Sequence, residues 1–117
     1  VKQDLLGDVY FRFLRLLTIL EATPTFPCLD SVERRLLEFI AMHESVGRGP
    51  LVSETIYSSD IGSPATLHRR IAVLKKHELL RYGDDIDGRK KYLELTPKAK
   101  SYFAELGKCI LKSAKVT

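Results

Sequence analysis

Thr66 and Arg69, three positions apart in Ser63-Pro64-Ala65-Thr66-Leu67-His68-Arg69-Arg70, pair a hydroxyl that can donate or accept with a forked guanidinium. On one helical face such a pair could read a duplex. The hydroxyl can bond a base or a phosphate, and the guanidinium can hold O6 and N7 of guanine together. Ala65 has almost no side chain, so the start of the helix could approach base edges closely. His68 adds a polar group on the outward side, while Arg70 and Lys75 or Lys76 are better placed for phosphates. A second basic cluster, Arg89-Lys90-Lys91, follows Asp84, Asp85 and Asp87. An aspartate could orient one of these cations by a salt bridge, and an arginine held out on a tip fits a narrow minor groove. Taken on charge alone, both stretches also read as ordinary solvated surface, an amphipathic helix and an Asp-Gly turn.

The chain has 117 residues, a length usual for one domain, with a formal net charge of +4. The charge is uneven: from Asp60 to Lys100 ten Lys or Arg stand against six Asp or Glu, whereas the rest of the chain carries nine of each. A basic excess confined to the stretch that holds both clusters suits a polyanion partner. Catalytic chemistry finds little to work with. His43, His68 and His77 form no metal or catalytic pattern, and His77-Glu78 lacks the second histidine of a zinc-protease motif. His68 and His77 lie nine apart, about half a helical rotation, and so point to opposite faces. Gly47-Arg48-Gly49-Pro50 reads as a helix stop, there is no nucleophile elbow, and Cys28 and Cys109 have no partner at a redox or zinc spacing. The expectation is a protein that is not an enzyme and takes no cofactor or metal. The apolar N-terminal run carries Asp8, Arg12 and Arg15 and lacks a small-residue cleavage site, so neither a leader nor a membrane span is expected, and a cytoplasmic location is the default.

The elements that must position these residues follow from periodicity and punctuation. Leu6, Val9, Phe13, Leu16 and Leu20 keep helical spacing from Asp4 to about Leu20, with Leu5, Tyr10, Leu14 and Leu17 widening the stripe. That is more apolar surface than one small domain needs, so a second copy of the chain is expected to cover part of it; packing on two sides within one fold is the alternative. After Pro24 and Pro27, Asp30 can cap a second helix, with Glu33 reaching back to the cap amide, and Val32, Leu36, Leu37, Phe39 and Ile40 forming its core face. It should end near Val46, before Gly47, Gly49 and Pro50. A short helix from about Val52 to Ser58 precedes a tight turn at Ile61-Gly62. Ser63 caps the next helix and Pro64 suits its first position; Leu67, Ile71 and Leu74 face inward, leaving Ala65, Thr66, His68, Arg69, Ala72 and Lys76 outward. Leu80 to Tyr82 and Arg89 to Leu95 read as strands around a turn-rich tip. Thr96-Pro97 opens a last helix bearing Ala99, Phe103, Leu106 and Ile110 on one face. The fold class expected is mainly α with a small β-hairpin (α+β), a winged helix-turn-helix with N- and C-terminal flanking helices. It would form a single domain, with a DNA-binding core at 30–95 and dimerisation helices at 1–22 and 97–117.

Two helices joined by a short turn and followed by a hairpin can present the second helix to a major groove. The run from Ser63 to Leu74, then Leu79-Leu80, Asp85-Ile86-Asp87-Gly88-Arg89 and Leu95-Thr96-Pro97-Lys98-Ala99, resembles the recognition helix, wing and following helix of the multiple-antibiotic-resistance regulator (MarR) family. The likeness spans roughly Pro50 to Phe103. It implies a homodimeric transcriptional regulator on a palindromic double-stranded operator, repression more than activation, Thr66 and Arg69 in the major groove, Arg89 at the wing tip, and a dimer interface made by the first and last helices. The site residues it and the pattern suggest are Ser63, Ala65, Thr66, His68, Arg69, Arg70, Lys76, Arg89 and Lys90. The chain departs from the family in two places: Glu78 stands where a glycine is usual, and one helix, instead of two, follows the wing. The second departure bears on the dimer architecture and on any effector pocket. A winged-helix module that binds a protein is the competing function, and a small-molecule-responsive DNA-binding sensor is a third. An outward Thr, His, Arg and Lys face favours DNA over a protein partner, which would be met by outward Leu, Phe or Trp.

Overall fold

The computed structural model describes residues 2–84, 88 and 90–115. In chain order the elements are α1 (Gln3–Glu21), α2 (Ser31–Ser45), α3 (Val52–Ser58), α4 (Pro64–Lys76), β1 (Leu80–Asp84), β2 (Lys91–Leu95) and α5 (Pro97–Ala114). The class is α+β, mainly helical with one two-stranded antiparallel hairpin. Contacts divide the chain into two compact units: one runs from Leu29 to Lys100, and the other joins the segment up to Cys28 with the segment from Ser101 onward.

The helix starts of the first of these units follow local chemistry. Asp30 accepts a 2.8 Å hydrogen bond from the Glu33 amide, and the Glu33 carboxylate accepts the Asp30 amide at 3.0 Å, a reciprocal cap that satisfies two amides at the head of α2. Ser63 Oγ accepts from the Thr66 amide at the head of α4, with Pro64 inside the first turn. Thr96 Oγ1 accepts from the Ala99 amide, the same device at α5. Leu36, Leu37 and Ile40 of α2, Ile56 of α3, and Leu67, Ile71 and Leu74 of α4 bury their side chains together with Leu79, Leu80, Leu93 and Leu95. Helix α4 packs on α2, α3 and β1, so its position is held from three directions.

β1 and β2 pair with Leu80 opposite Leu95 and Asp84 opposite Lys91. The returning strand begins at Lys91, two residues later than the pattern of propensities predicts. Arg89, expected at the tip, lies outside the described residues, as do Asp85, Ile86 and Asp87. The hairpin is also tied to the chain before α3: Leu51 bridges Tyr92, and the Leu93 amide donates to the Pro50 carbonyl at 2.8 Å. Gly49 permits this approach, because a Cβ there would come within 1.9 Å of the Leu93 carbonyl oxygen. The stretch read as a helix stop is thus also a strand partner. From α2, the Glu44 carboxylate accepts the Leu95 amide at 2.7 Å, fixing the other end of β2.

Two turns around α4 use a left-handed residue that is not glycine. Between α3 and α4 the left-handed residue is Asp60, at φ 60°, and not the glycine of Ile61-Gly62. After α4 it is Glu78, at φ 62°. The Leu79 amide bonds the Leu74 carbonyl and the Glu78 amide bonds the Lys75 carbonyl, a Schellman closure that usually recruits glycine at the position of Glu78.

In the other unit, α1 has no buried residue. Leu6 and Tyr10 are each 57% exposed and Ile19 is 67% exposed. Ile110 and Leu111 of α5 are exposed as well. Phe26 stacks on Tyr102 with ring centroids 5.1 Å apart, and Tyr102 meets Phe103 edge-on. An apolar groove of about 270 Å³ runs between Leu6, Val9, Tyr10 and Phe13 of α1 and Ile110, Ser113 and Ala114 of α5. No helix among the described residues is long and apolar enough to cross a membrane.

Candidate nucleic-acid interface

The inward stripe of Leu67, Ile71 and Leu74 sets the rotation of α4, and every other face of the helix follows from it. Pro64, Ala65, His68, Arg69, Ala72, Lys75 and Lys76 are exposed, and Thr66 is half-buried. The Ser63 hydroxyl donates to Thr66 Oγ1 at 2.9 Å while accepting the Thr66 amide. This leaves the Thr66 hydroxyl proton free to be donated outward. Ala65, Arg69 and Lys76 fall on one outward line at spacings of four and seven, and His68, Ala72 and Lys75 fall on a second line beside it.

Arg70 departs from its expected role. Its guanidinium turns toward the head of α2, 2.9 Å from Asp30 and 3.5 Å from Glu33, whose side chain is almost fully buried. One rotation of the helix explains the difference: Arg70 sits beside Thr66 and Val73 on the side that meets α2, not on the outward line. The cation that was assigned to a phosphate instead neutralises the two carboxylates of the capping box.

The neighbouring surfaces add residues that the sequence reading left out. A recess of about 400 Å³ is lined by Leu51 and Val52, by Ser53, Ile56 and Tyr57 of α3, by His68 of α4, and by Lys90 and Lys91. Ser53 and Tyr57 lie four apart, opposite the buried Thr55 and Ile56, so helical periodicity could have found them. Lys90 sits here as an exposed neighbour of His68. Tyr82 of β1 carries the Lys75 ammonium 4.1 Å from its ring centroid and the Lys91 ammonium 5.4 Å from it. On the opposite face of the hairpin, the Arg48 guanidinium covers the Tyr92 ring at 3.6 Å, and Arg81 bonds Glu94 across the strands at 3.2 Å.

The described residues thus bring Ser63, Ala65, Thr66, His68, Arg69, Lys76 and Lys90 to the exposed side of α4 and the adjoining hairpin, and turn Arg70 away. Among them no group of three His, Cys, Asp or Glu is gathered that could hold a metal ion. Chemically, the surface offers hydroxyls, one imidazole and several cations; of the acids around it, Glu54 accepts the Leu51 amide and Glu94 pairs with Arg81. The chain matches no family model, no curated protein and no solved structure.

Proposed function

We propose that the chain is a winged helix-turn-helix transcriptional regulator that binds double-stranded DNA as a homodimer, with α4 as the helix that enters the major groove. The observation that carries this reading is the outward face of α4, which is small where it would approach the bases, at Ala65, and cationic farther along, at Arg69 and Lys76. No large apolar side chain interrupts that face, so a protein-binding role for it has less support. Lys90 and Lys91 of the hairpin extend the positive surface beside it. Arg69 takes a guanine edge in this reading, Thr66 a base or phosphate, and Ser63, Lys76 and Lys90 the backbone.

Dimerisation is supported by the exposed apolar residues of α1 and α5, chiefly Leu6, Tyr10, Ile110 and Leu111. A twofold dimer would present two copies of α4 to successive major grooves about 34 Å apart, so the site would be palindromic and its occupation would block or recruit polymerase. A cytoplasmic location is part of this reading. The test is selection from a pool of random duplex DNA near physiological salt, followed by affinity measured as salt is raised. Enrichment of a palindrome with steeply salt-dependent binding supports the reading. Failure to enrich any sequence, with only weak salt-sensitive association, overturns it and points to a protein partner.

A further inference from the structure

Lys75 near the C-terminal end of α4 and Lys91 at the start of β2 belong to different elements, yet both ammonium groups converge on the ring of Tyr82. Register explains the convergence. Tyr82 pairs with Leu93, so its ring shares a face with Leu93, Leu95 and Lys91, and the burial of Leu93 and Leu95 shows that this is the face packed on the core. Lys75 lies on the α4 line that also carries His68 and Ala72. Neither ammonium has an ion pair among the described residues, and Tyr82 keeps more than a third of its surface exposed.

Two like charges held on one ring repel each other, and the π face offsets only part of that. An anion within reach of both ammonium groups offsets the repulsion and gains from each. His68, Lys90 and Lys91 line the adjoining recess, so the positive surface continues from the Tyr82 ring toward α3, and no acidic side chain is among the described residues that line that recess. A spaced row of cations along a cleft fits a polymer of phosphates better than a single small anion.

We infer that Lys75, Tyr82 and Lys91 form a phosphate clamp that grips the DNA backbone between α4 and the hairpin, with the Tyr82 ring positioning the two ammonium groups. This rests on the DNA-binding reading and adds to it a contact that carries affinity without sequence preference. Tyr82 is a positioning residue here, and the lysines are the binding groups.

The test measures binding to the selected duplex across a range of salt for the parent, K75Q, K91Q, the double variant, Y82F and Y82L, each first compared with the parent in thermal unfolding. Removing each lysine is expected to weaken binding uniformly across sequences and to reduce the slope of log affinity against log salt by about one. Y82F, which keeps the ring, is expected to bind as the parent does. Y82L is expected to lose several-fold in affinity, and that loss is expected to disappear in the K75Q/K91Q background, an outcome that a merely structural role for the tyrosine would not give. An unchanged salt slope in K75Q/K91Q, while R69A still relaxes base preference, overturns the clamp and leaves the DNA reading standing. A parent that shows no salt-dependent duplex binding overturns both.

Discussion

The Thr96 hydroxyl donates a 2.6 Å hydrogen bond to the carbonyl of Glu78, a residue at φ 62° in the turn that leads from α4 into the hairpin. A left-handed conformation costs a residue with a Cβ about 1 to 2 kcal/mol. The turn offsets that cost with the Schellman bonds to Leu74 and Lys75, with the Thr96 bond, and with burial of Leu79. Glycine, which the resembled family uses at this position, would adopt the same conformation without the penalty. Glu78→Gly is therefore expected to stabilise the fold by about 0.5 to 1 kcal/mol after the extra entropy of glycine in the unfolded chain is set against the relieved strain. The check is a urea titration in which the midpoint rises and the slope stays the same; a lower midpoint would mean that the Glu78 side chain holds the turn in some other way.

Gly49 presents the opposite case, since its role comes from space. A Cβ there would meet the Leu93 carbonyl oxygen at 1.9 Å, and backbone cannot step aside as a flexible side chain can. Gly49→Ala is expected to destabilise by about 2 to 3 kcal/mol by prying the Pro50–Leu93 bond apart. Gly62→Ala is the matched control, because its nearest neighbour, the Leu67 side chain, lies at an ordinary 3.5 Å. Equal unfolding midpoints for the two variants would remove the tie between the hairpin and the segment before α3 from the account.

Arg69 and Arg70 are adjacent in sequence, and one residue of helical rotation separates their fates. Arg69 is exposed on the outward line, whereas Arg70 is paired with Asp30 and Glu33. Arg69→Ala is expected to weaken binding to a selected duplex by about 1 to 3 kcal/mol and to relax base preference at one position, with no change in thermal stability. Arg70→Ala is expected to do the reverse, lowering the melting temperature because Glu33 loses a cationic partner, and leaving base preference intact. Parallel measurements of selectivity and melting on both variants decide the assignment; a loss of base preference in Arg70→Ala would return that residue to the interface.

How much of this could be read from the sequence depended on whether the signal was local. The caps at Asp30 and Ser63 and the buried stripe of α4 rest on spacings of three and four residues, and all of them stand in the structure. What stayed hidden lies between elements. The rotation that turns Arg70 toward α2 depends on where α2 sits, which no window along α4 contains. The Leu51–Tyr92 bridge involves too few residues to show a strand period, and Pro50 with its neighbouring glycines masks it further. Tyr82 was read for its strand propensity alone, because the two lysines that flank its ring arrive from positions seven residues before it and nine after. Ser53 and Tyr57 were within reach of periodicity, since the short helix that carries them was expected but its faces were not assigned.

The apolar surface of α1 makes the oligomer a separate, directly measurable matter. Leu6 and Tyr10, four apart and each 57% exposed, form one line on the helix, and they border the groove shared with Ile110 of α5. Exposed apolar side chains clustered in this way favour association, since each one covered by a partner contributes roughly 1.5 to 3 kcal/mol of transfer free energy before the costs of ordering are counted. The parent is expected to sediment as a dimer at micromolar concentration. Leu6→Glu combined with Tyr10→Glu places two carboxylates on that line and is expected to yield a folded monomer, because neither side chain is buried in the single chain and helical content should be retained. The monomer is expected to bind a palindrome only as a half-site, with the steep dependence on half-site spacing lost. A parent that sediments as a monomer would end the palindromic arrangement, and a variant that remains dimeric would move the interface from this line to another part of α1 or α5.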